Sequence, residues 1–194
     1  MRYFVFAELG NKEVLDFLAS LRQALSGDVN TSPIHITLRG PYAKPPSIDR
    51  LNELAAILPG YGVRIVSHGL FSTPRGFAVF LRAECSVFRQ LWDKPDYKVP
   101  LGRIEPHITV FESQVREAAI EVQEFLKTED IEIYTRSVFL SVYRSPSRQN
   151  DLFGLPVAVP DGKPLTPDSL RFRAGVLDRA RVLGDRVASM VAAA

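Results

Sequence analysis

Apolar residues in the first half of the chain follow two spacings, every second residue as in a strand and every third or fourth as in a helix. Gly27 and Pro59-Gly60 end the two helical stretches. The elements predicted for this half are a strand at 2–8, a helix at 12–25, a short strand at 35–38 leading into a Gly40-Pro41 turn, a helix from the N-cap Ser47 to about 58, and strands near 61–71 and 77–83.

The second half repeats this order of elements. The elements predicted here are a helix near 85–93, a strand at 107–111, a helix capped by Ser113 and ending near 127, and a long strand at 131–143. A connector rich in Pro and Gly follows at 155–167. Thr166 and Pro167 are typical of an N-cap and a first helical position, so they predict a last helix through about 190. Its interleaved arginines suit either a solvated basic face or an RNA contact.

Two of the three histidines occur in the same tripeptide, His35-Ile36-Thr37 and His107-Ile108-Thr109, 72 residues apart. The same shift aligns several other residues: Arg64 with Arg136, Val66 with Val138, Phe71 with Tyr143 and Pro74 with Pro146. An internal repeat of this size predicts two similar lobes related by a pseudo-twofold, each contributing one histidine. The third histidine, His68, aligns with Leu140, fits no motif and is interpreted as structural or surface-exposed.

Each tripeptide predicts a histidine and a threonine side chain that act together in catalysis. In a strand, residues i and i+2 point to one face, so His and Thr would project together. An imidazole exchanges protons near neutral pH, and two of them can serve as base and acid around one phosphorus atom. The threonine hydroxyls would donate hydrogen bonds to the phosphoryl oxygens. The alternative is that these are strand histidines satisfied within a sheet, beside threonines favoured by β propensity.

Composition narrows the setting. The chain has 194 residues, 46% of them hydrophobic, and a formal net charge of +2, so a strongly basic nucleic-acid track is not indicated. The single cysteine excludes an internal disulfide and a cysteine-rich metal site. The N-terminus lacks the features of a signal peptide, and no apolar run has the length of a membrane span. We therefore expect a cytoplasmic protein without a membrane partner, a bound metal or a cofactor.

The paired tripeptides, each followed by an apolar residue, resemble those of the 2H phosphoesterase superfamily. The segment from Ile34 to Tyr42 resembles the bacterial 2′-5′ RNA ligase-like branch. The resemblance implies an α+β, bilobed, duplicated fold with two antiparallel sheets around a central cleft and helices outside, followed here by a C-terminal helix. It covers residues 1–146, with lobes of approximately 1–80 and 81–146 between which strands could be exchanged. Residues 147–194, a connector and helix, lie outside it.

Carried over residue by residue, the resemblance implies that His35 and His107 are the acid/base pair and that Thr37 and Thr109 bind phosphate. The order of acid and base stays open. Further candidates for substrate binding come from their positions near the motifs. Phe71, Tyr143 and Tyr42 could stack on a nucleobase, with core packing as the alternative, and Arg39, Lys44, Arg103 and Arg144 could bind flanking phosphates.

The leading hypothesis is a metal-independent hydrolase, a cyclic phosphodiesterase that opens 2′,3′-cyclic phosphates of nucleotides or RNA ends. The resemblance also allows a reversible 2′-5′ RNA ligase, a 2′-5′ oligonucleotide phosphodiesterase, or action on ADP-ribose cyclic phosphate. A different class is a non-catalytic protein that binds nucleotides or RNA ends. A two-histidine metal site lacks a third ligand at suitable spacing. The expected partner is a nucleotide or RNA end carrying a cyclic phosphate, bound by a monomer.

Overall fold

The structure, a computed structural model, describes residues 2–26, 33–42, 44–57, 61–73, 76–88, 105–145 and 168–193. Within these ranges the strands are β1 (Arg2–Leu9), β2 (Ile36–Tyr42), β3 (Val63–Thr73), β4 (Gly76–Glu84), β5 (His107–Ser113), β6 (Glu132–Thr135), β7 (Val138–Ser145) and β8 (Ser169–Arg171). The helices are α1 (Lys12–Ser26), α2 (Ile48–Ile57), α3 (Arg116–Thr128) and α4 (Val176–Ala192). The predicted α+β class, with a C-terminal helix, is confirmed.

The strands form two antiparallel sheets. The first sheet has the order β2-β1-β7, and the second has the order β5-β4-β3-β6-β8. β7 comes from the second half of the chain yet completes the first sheet, whereas β3 comes from the first half and lies in the second sheet. Each sheet therefore combines strands from both halves of the sequence.

The two sheets share an irregularity at equivalent positions, which supports the internal repeat. In the first sheet Phe6 pairs with Thr37 and Val5 pairs with Arg39, so Leu38 is an extra residue in β2. In the second sheet Phe80 pairs with Thr109, and Val110 is the extra residue in β5. Each bulge directly follows the threonine of a tripeptide. Because bulges re-aim the neighbouring side chains, the same local geometry presents both motifs.

The core lies on one face of each sheet. Alternate residues of the paired strands, among them Val5, Ile36, Val79 and Ile108, are almost completely buried. This alternation follows from the two-residue period of a strand and leaves His35, Thr37, His107 and Thr109 on the opposite face. We call that opposite side the site face of each sheet.

Helices cover the core face of the second sheet. α3 packs on β3, β4 and β5, and α1 packs on β5 and against α4. The crossing of α1 and α4 is close: a Cβ atom added at the buried Gly184 would lie 2.0 Å from the carbonyl oxygen of Ala24. The last turn of α1 also binds the sheet directly, since Ser26 Oγ donates to the carbonyl of Val110 at 3.2 Å.

Two local predictions are corrected. The Gly40-Pro41 turn is wrong, because β2 continues through both residues to Tyr42. β2 is an edge strand, where proline is tolerated because one side of the strand has no partner to receive an N–H. Ser113 is not the N-cap of α3: that position belongs to Val115, whose N–H donates to Ser113 Oγ at 3.0 Å.

The long strand predicted at 131–143 is two strands in different sheets, β6 and β7. Backbone groups at the break bond outside the sheet ladders. The N–H of Arg136 donates to Asp168 at 2.8 Å, and the N–H of Ser137 donates to Thr135 Oγ1 at 3.2 Å. The carbonyl of Ser137 accepts from Gly10 at 2.6 Å. These contacts turn the chain from one sheet into the other.

The helix predicted from Thr166 is wrong in its first part. Residues 169–171 form β8, which pairs with β6, and the helix begins only after Gly175, whose φ of 74° favours glycine. Asp168 explains the difference, because its carboxylate accepts hydrogen bonds from Asn11 (2.8 Å), Thr135 (2.7 Å) and the backbone of Arg136. Thr166, Pro167, the 155–167 connector and the part of the 85–93 helix beyond Phe88 lie outside the described residues.

The arginines near the C-terminus attach this segment to the rest of the fold. The contacts are Arg171 with Glu132, Arg173 with the carbonyl of Thr128, Arg179 with Glu129 and Arg186 with Glu121. Arg181 pairs with Asp178 in its own helix. None of the helices in the described ranges is long and apolar enough to cross a membrane.

Candidate active site

The two tripeptides lie at equivalent places in the two sheets. His35 immediately precedes β2, and His107 is the first residue of β5. Glu8 lies beside the first histidine in the strand register, and Arg82 pairs with the second. β2 and β5 are in contact although they belong to different sheets.

Both imidazoles are held in the same way. Nδ1 of His35 donates to the carbonyl oxygen of Pro33 at 2.8 Å, and Nδ1 of His107 donates to that of Glu105 at 2.6 Å. A carbonyl oxygen can only accept, so Nδ1 carries the proton in each neutral ring. Nε2 is then the atom that can take up or release a proton, in both sheets alike.

Aromatic rings pack against each imidazole. The ring of Phe6 stacks on His35 at 3.8 Å between centroids, and Tyr143 stacks on Phe6 at 5.2 Å. In the second sheet, Phe80 lies 4.9 Å from His107. Phe71 contacts both Phe80, at 4.2 Å, and His107, edge-on at 4.8 Å. The predicted equivalence of Phe71 and Tyr143 therefore holds in position, each lying beside the phenylalanine under a histidine.

Burial dominates the electrostatics of the pair. Desolvation lowers the pKa of His35 and of His107 below the ordinary value, although the carbonyl hydrogen bonds oppose the shift. Glu8 also raises the pKa of His35, while the positive charges of Arg22 and of His107 lower it. The charge of His107 therefore influences the protonation of His35, although the two residues belong to different sheets.

The site faces differ in charge beside the histidines. Glu8, next to His35, accepts a hydrogen bond from the buried Ser141 on β7. Arg82, next to His107, forms an ion pair with Glu105. The first site face thus carries a carboxylate and the second a guanidinium at equivalent positions.

The other predicted binding residues are placed less closely, or their side chains are not described. Arg144 is exposed and alternates with Tyr143 along β7, so it points away from the site face. Lys44 is exposed ahead of α2. The backbones of Arg39 and Tyr42 lie in β2, but the structure describes neither side chain, and Arg103 is outside the described residues.

Phe6, Phe80, Glu8, Ser141 and Arg82 were missed by the sequence reasoning. The segments around the two phenylalanines are similar, Phe4-Val5-Phe6-Ala7 and Ala78-Val79-Phe80-Leu81, but they are offset by 74 residues. A shift of 72 residues does not align these segments, whereas a two-residue gap in the repeat aligns both phenylalanines.

Within the described part of the chain, no group of three His, Cys, Asp or Glu side chains is arranged to hold a metal ion. Comparisons of this chain with protein-family models and with curated proteins find no match.

Proposed function

We propose that this protein is a 2H-type phosphoesterase that opens the 2′,3′-cyclic phosphate of a nucleotide or RNA end by acid/base catalysis with His35 and His107. The observation that carries this proposal is the matched pair of anchored imidazoles. Both imidazoles donate Nδ1–H to the carbonyl oxygen two residues earlier, and both pack against a phenylalanine ring. Each histidine is followed two residues later by a threonine on the same face of its sheet. Two proton-transfer groups are what the opening of a cyclic phosphodiester requires.

In the proposed reaction, Nε2 of one neutral imidazole takes a proton from water while the water oxygen bonds to phosphorus. The bond from phosphorus to the 3′ oxygen breaks. The other imidazole, protonated at Nε2, gives that proton to the leaving oxygen, and a 2′-phosphomonoester results. One water is consumed, and exchange of protons with solvent restores the starting states. Breakage at the 3′ oxygen follows from the family resemblance, not from these residues.

Thr37 and Thr109 are proposed to stabilise the charge that develops on phosphorus. Each lies on a site face, two residues after its histidine and opposite Phe6 or Phe80 in the strand register. A hydroxyl at this position can donate to a non-bridging phosphoryl oxygen, and such preorganised donors favour the transition state. With two proton-transfer groups and two donors from the chain, the mechanism requires no metal ion.

The first test is the hydrolysis of 2′,3′-cyclic AMP and of an oligonucleotide ending in a cyclic phosphate, in the presence of EDTA. The wild type should convert at least one of them. His35→Ala and His107→Ala should each lower kcat by about 10²- to 10⁴-fold, the usual effect of losing a general acid or base. Chromatography of the product identifies the bond that breaks.

His68→Ala is the matched control, since His68 lies on β3 with its side chain toward the α3 side of the sheet and near Glu124 and Lys127. It should retain wild-type activity. A folded wild type that leaves both substrates intact would contradict the proposed function, as would two histidine variants that remain fully active. Nucleotide binding without turnover would instead favour the non-catalytic binding protein.

A further inference from the structure

A row of polar residues crosses the second site face next to His107. Ser67 on β3 pairs with Arg82 on β4, and Arg82 pairs with His107 on β5. All three lie on the same side of the sheet, because Ser67 alternates with the core-facing His68 and Arg82 with the buried Leu81. Adjacent strands are ~4.8 Å apart, so the row extends roughly 10 Å from the imidazole.

Two polar atoms in this row are buried without a hydrogen-bond partner among the described residues, Ser67 Oγ and Arg82 Nε. Buried polar groups normally have partners, and an unsatisfied donor costs free energy. The rest of the Arg82 guanidinium is oriented by its ion pair with Glu105. A hydroxyl and a guanidinium N–H at paired positions of neighbouring strands thus have no acceptor in the part of the chain that the structure describes.

The first site face has no such pair. By strand register, its equivalent row runs from Phe139 through Glu8 to His35. Here an aromatic ring replaces the serine and a carboxylate replaces the arginine, and the carboxylate already accepts from Ser141. A phosphate would be repelled by Glu8 but attracted by Arg82, whose planar donors match phosphate oxygens. The two ends of the site are therefore chemically different.

On the basis of the phosphoesterase function above, we propose that Ser67 and Arg82 bind a second phosphate of the substrate. In an RNA end, the phosphate nearest to the cyclic one is attached to the 5′ oxygen of the terminal nucleotide. The favoured substrate is thus a cyclic phosphate that also carries a 5′ phosphate, as every RNA end longer than one nucleotide does. Two partly exposed aromatic rings of the first site face, Phe4 and Tyr143, are left to face the nucleoside.

The test compares 2′,3′-cyclic AMP with the same nucleotide carrying a 5′ phosphate. The wild type should show a kcat/KM about tenfold to a hundredfold higher for the phosphorylated substrate, the range for hydrogen bonds to a charged group. Arg82→Gln should remove most of this preference by raising KM for the phosphorylated substrate. Ser67→Ala should act in the same direction with a smaller effect, and Arg82→Lys should retain part of the preference.

Arg64→Gln is the matched control. Arg64 is an exposed arginine of the same sheet and also pairs with a glutamate, Glu132, at 3.6 Å, but it lies outside the row. It should keep the wild-type preference. Equal use of both substrates by the wild type would overturn the second phosphate site. An equal loss on both substrates in Arg82→Gln would also overturn it, since Arg82 would then act only through Glu105 and His107.

Binding separates this inference from the proposed reaction. Adenosine 2′-monophosphate and adenosine 2′,5′-bisphosphate are titrated calorimetrically into wild type and Arg82→Gln. Tighter binding of the bisphosphate that depends on Arg82 supports the second phosphate site even if neither cyclic substrate is hydrolysed. Equal affinities for the two nucleotides in the wild type count against the site, whatever the outcome of the activity assay.

Discussion

Burial gives the two imidazoles a common preference for the neutral form. Desolvation lowers both pKa values, and the neighbouring carboxylates Glu8 and Glu105 offset only part of this effect. Arg22 reinforces it at His35. A bound phosphate anion would favour the protonated form of either ring, so binding of substrate and uptake of the catalytic proton should be coupled.

The lowered pKa values of both histidines predict an acidic pH optimum for kcat/KM. Under the proposed mechanism, kcat/KM should be bell-shaped with its maximum below pH 6.5, because both pKa values lie below the ordinary 6.5 when no substrate is bound. Activity falls on the acid side because the base becomes protonated, and on the alkaline side because the acid loses its proton. The profile of kcat should lie at higher pH, since the bound anion raises the pKa of the acid. Steady-state rates between pH 4.5 and 8.5 check both statements, and a kcat/KM maximum at or above pH 7 would contradict them.

At the scale of residues, the sequence predicts the side chains that carry the motif but not their surroundings. His35, Thr37, His107 and Thr109 share a face because a two-residue period needs only local geometry. The phenylalanine that packs against each imidazole comes from a different strand. Phe6, for example, precedes His35 by 29 positions. Only the pairing of β1 with β2 brings them together, and such pairing is not encoded in any short segment.

Among the elements, the crossing of α1 and α4 leads to a clear prediction. Glycine within a helix is ordinarily less stable than alanine by about 1 kcal/mol, so propensity alone would make Gly184→Ala stabilising. Here the added Cβ would lie 2.0 Å from the carbonyl oxygen of Ala24, a backbone atom that cannot rotate away. We expect Gly184→Ala to lower the free energy of unfolding by roughly 1–3 kcal/mol, the usual cost of overpacking.

Urea denaturation of the two proteins measures this difference. Ser189→Ala, an exposed substitution on the same helix, should stay within about 0.5 kcal/mol of wild type. A Gly184→Ala protein more stable than wild type would show that the helices can separate at no cost. Because the last turn of α1 also holds β5 through Ser26, the variant should lose activity before it unfolds.

The elements predicted least well are those whose ends are set by distant contacts. The periodicity of 131–143 is continuous in sequence, and the break at Arg136 appears only when Asp168 binds the backbone there. The same carboxylate removes residues 168–171 from the predicted last helix, and residues 169–171 form β8 instead. One interaction between residues 32 positions apart therefore accounts for both errors, and a local sequence pattern does not show such a pairing.

For the whole molecule, the duplicated architecture was accessible from sequence because the repeat is long and nearly free of gaps. Matching bulges after Thr37 and Thr109 support it independently, since bulge positions depend on strand pairing and not on residue identity. What the repeat could not reveal is which half each strand joins. β3 belongs to the first half of the sequence but lies in the second sheet. β7 belongs to the second half but lies in the first sheet.

That exchange makes the protein equivalent to a domain-swapped dimer whose two subunits have been fused end to end. Each half donates one strand to the other, β3 from the first half and β7 from the second, and the halves are joined covalently between Thr73 and Gly76. We expect fragments 1–75 and 76–194, each with one of the two histidines proposed to be catalytic and with an incomplete sheet, to be inactive alone. Mixed or co-expressed, they should assemble one to one and recover both native circular dichroism and cyclic-phosphate hydrolysis, whereas a cut after Val66, inside β3, should not. Failure of the first pair to assemble would mean that the hairpin is needed for folding. Success would mean that each half carries enough information to recognise and complete the other without a covalent connection.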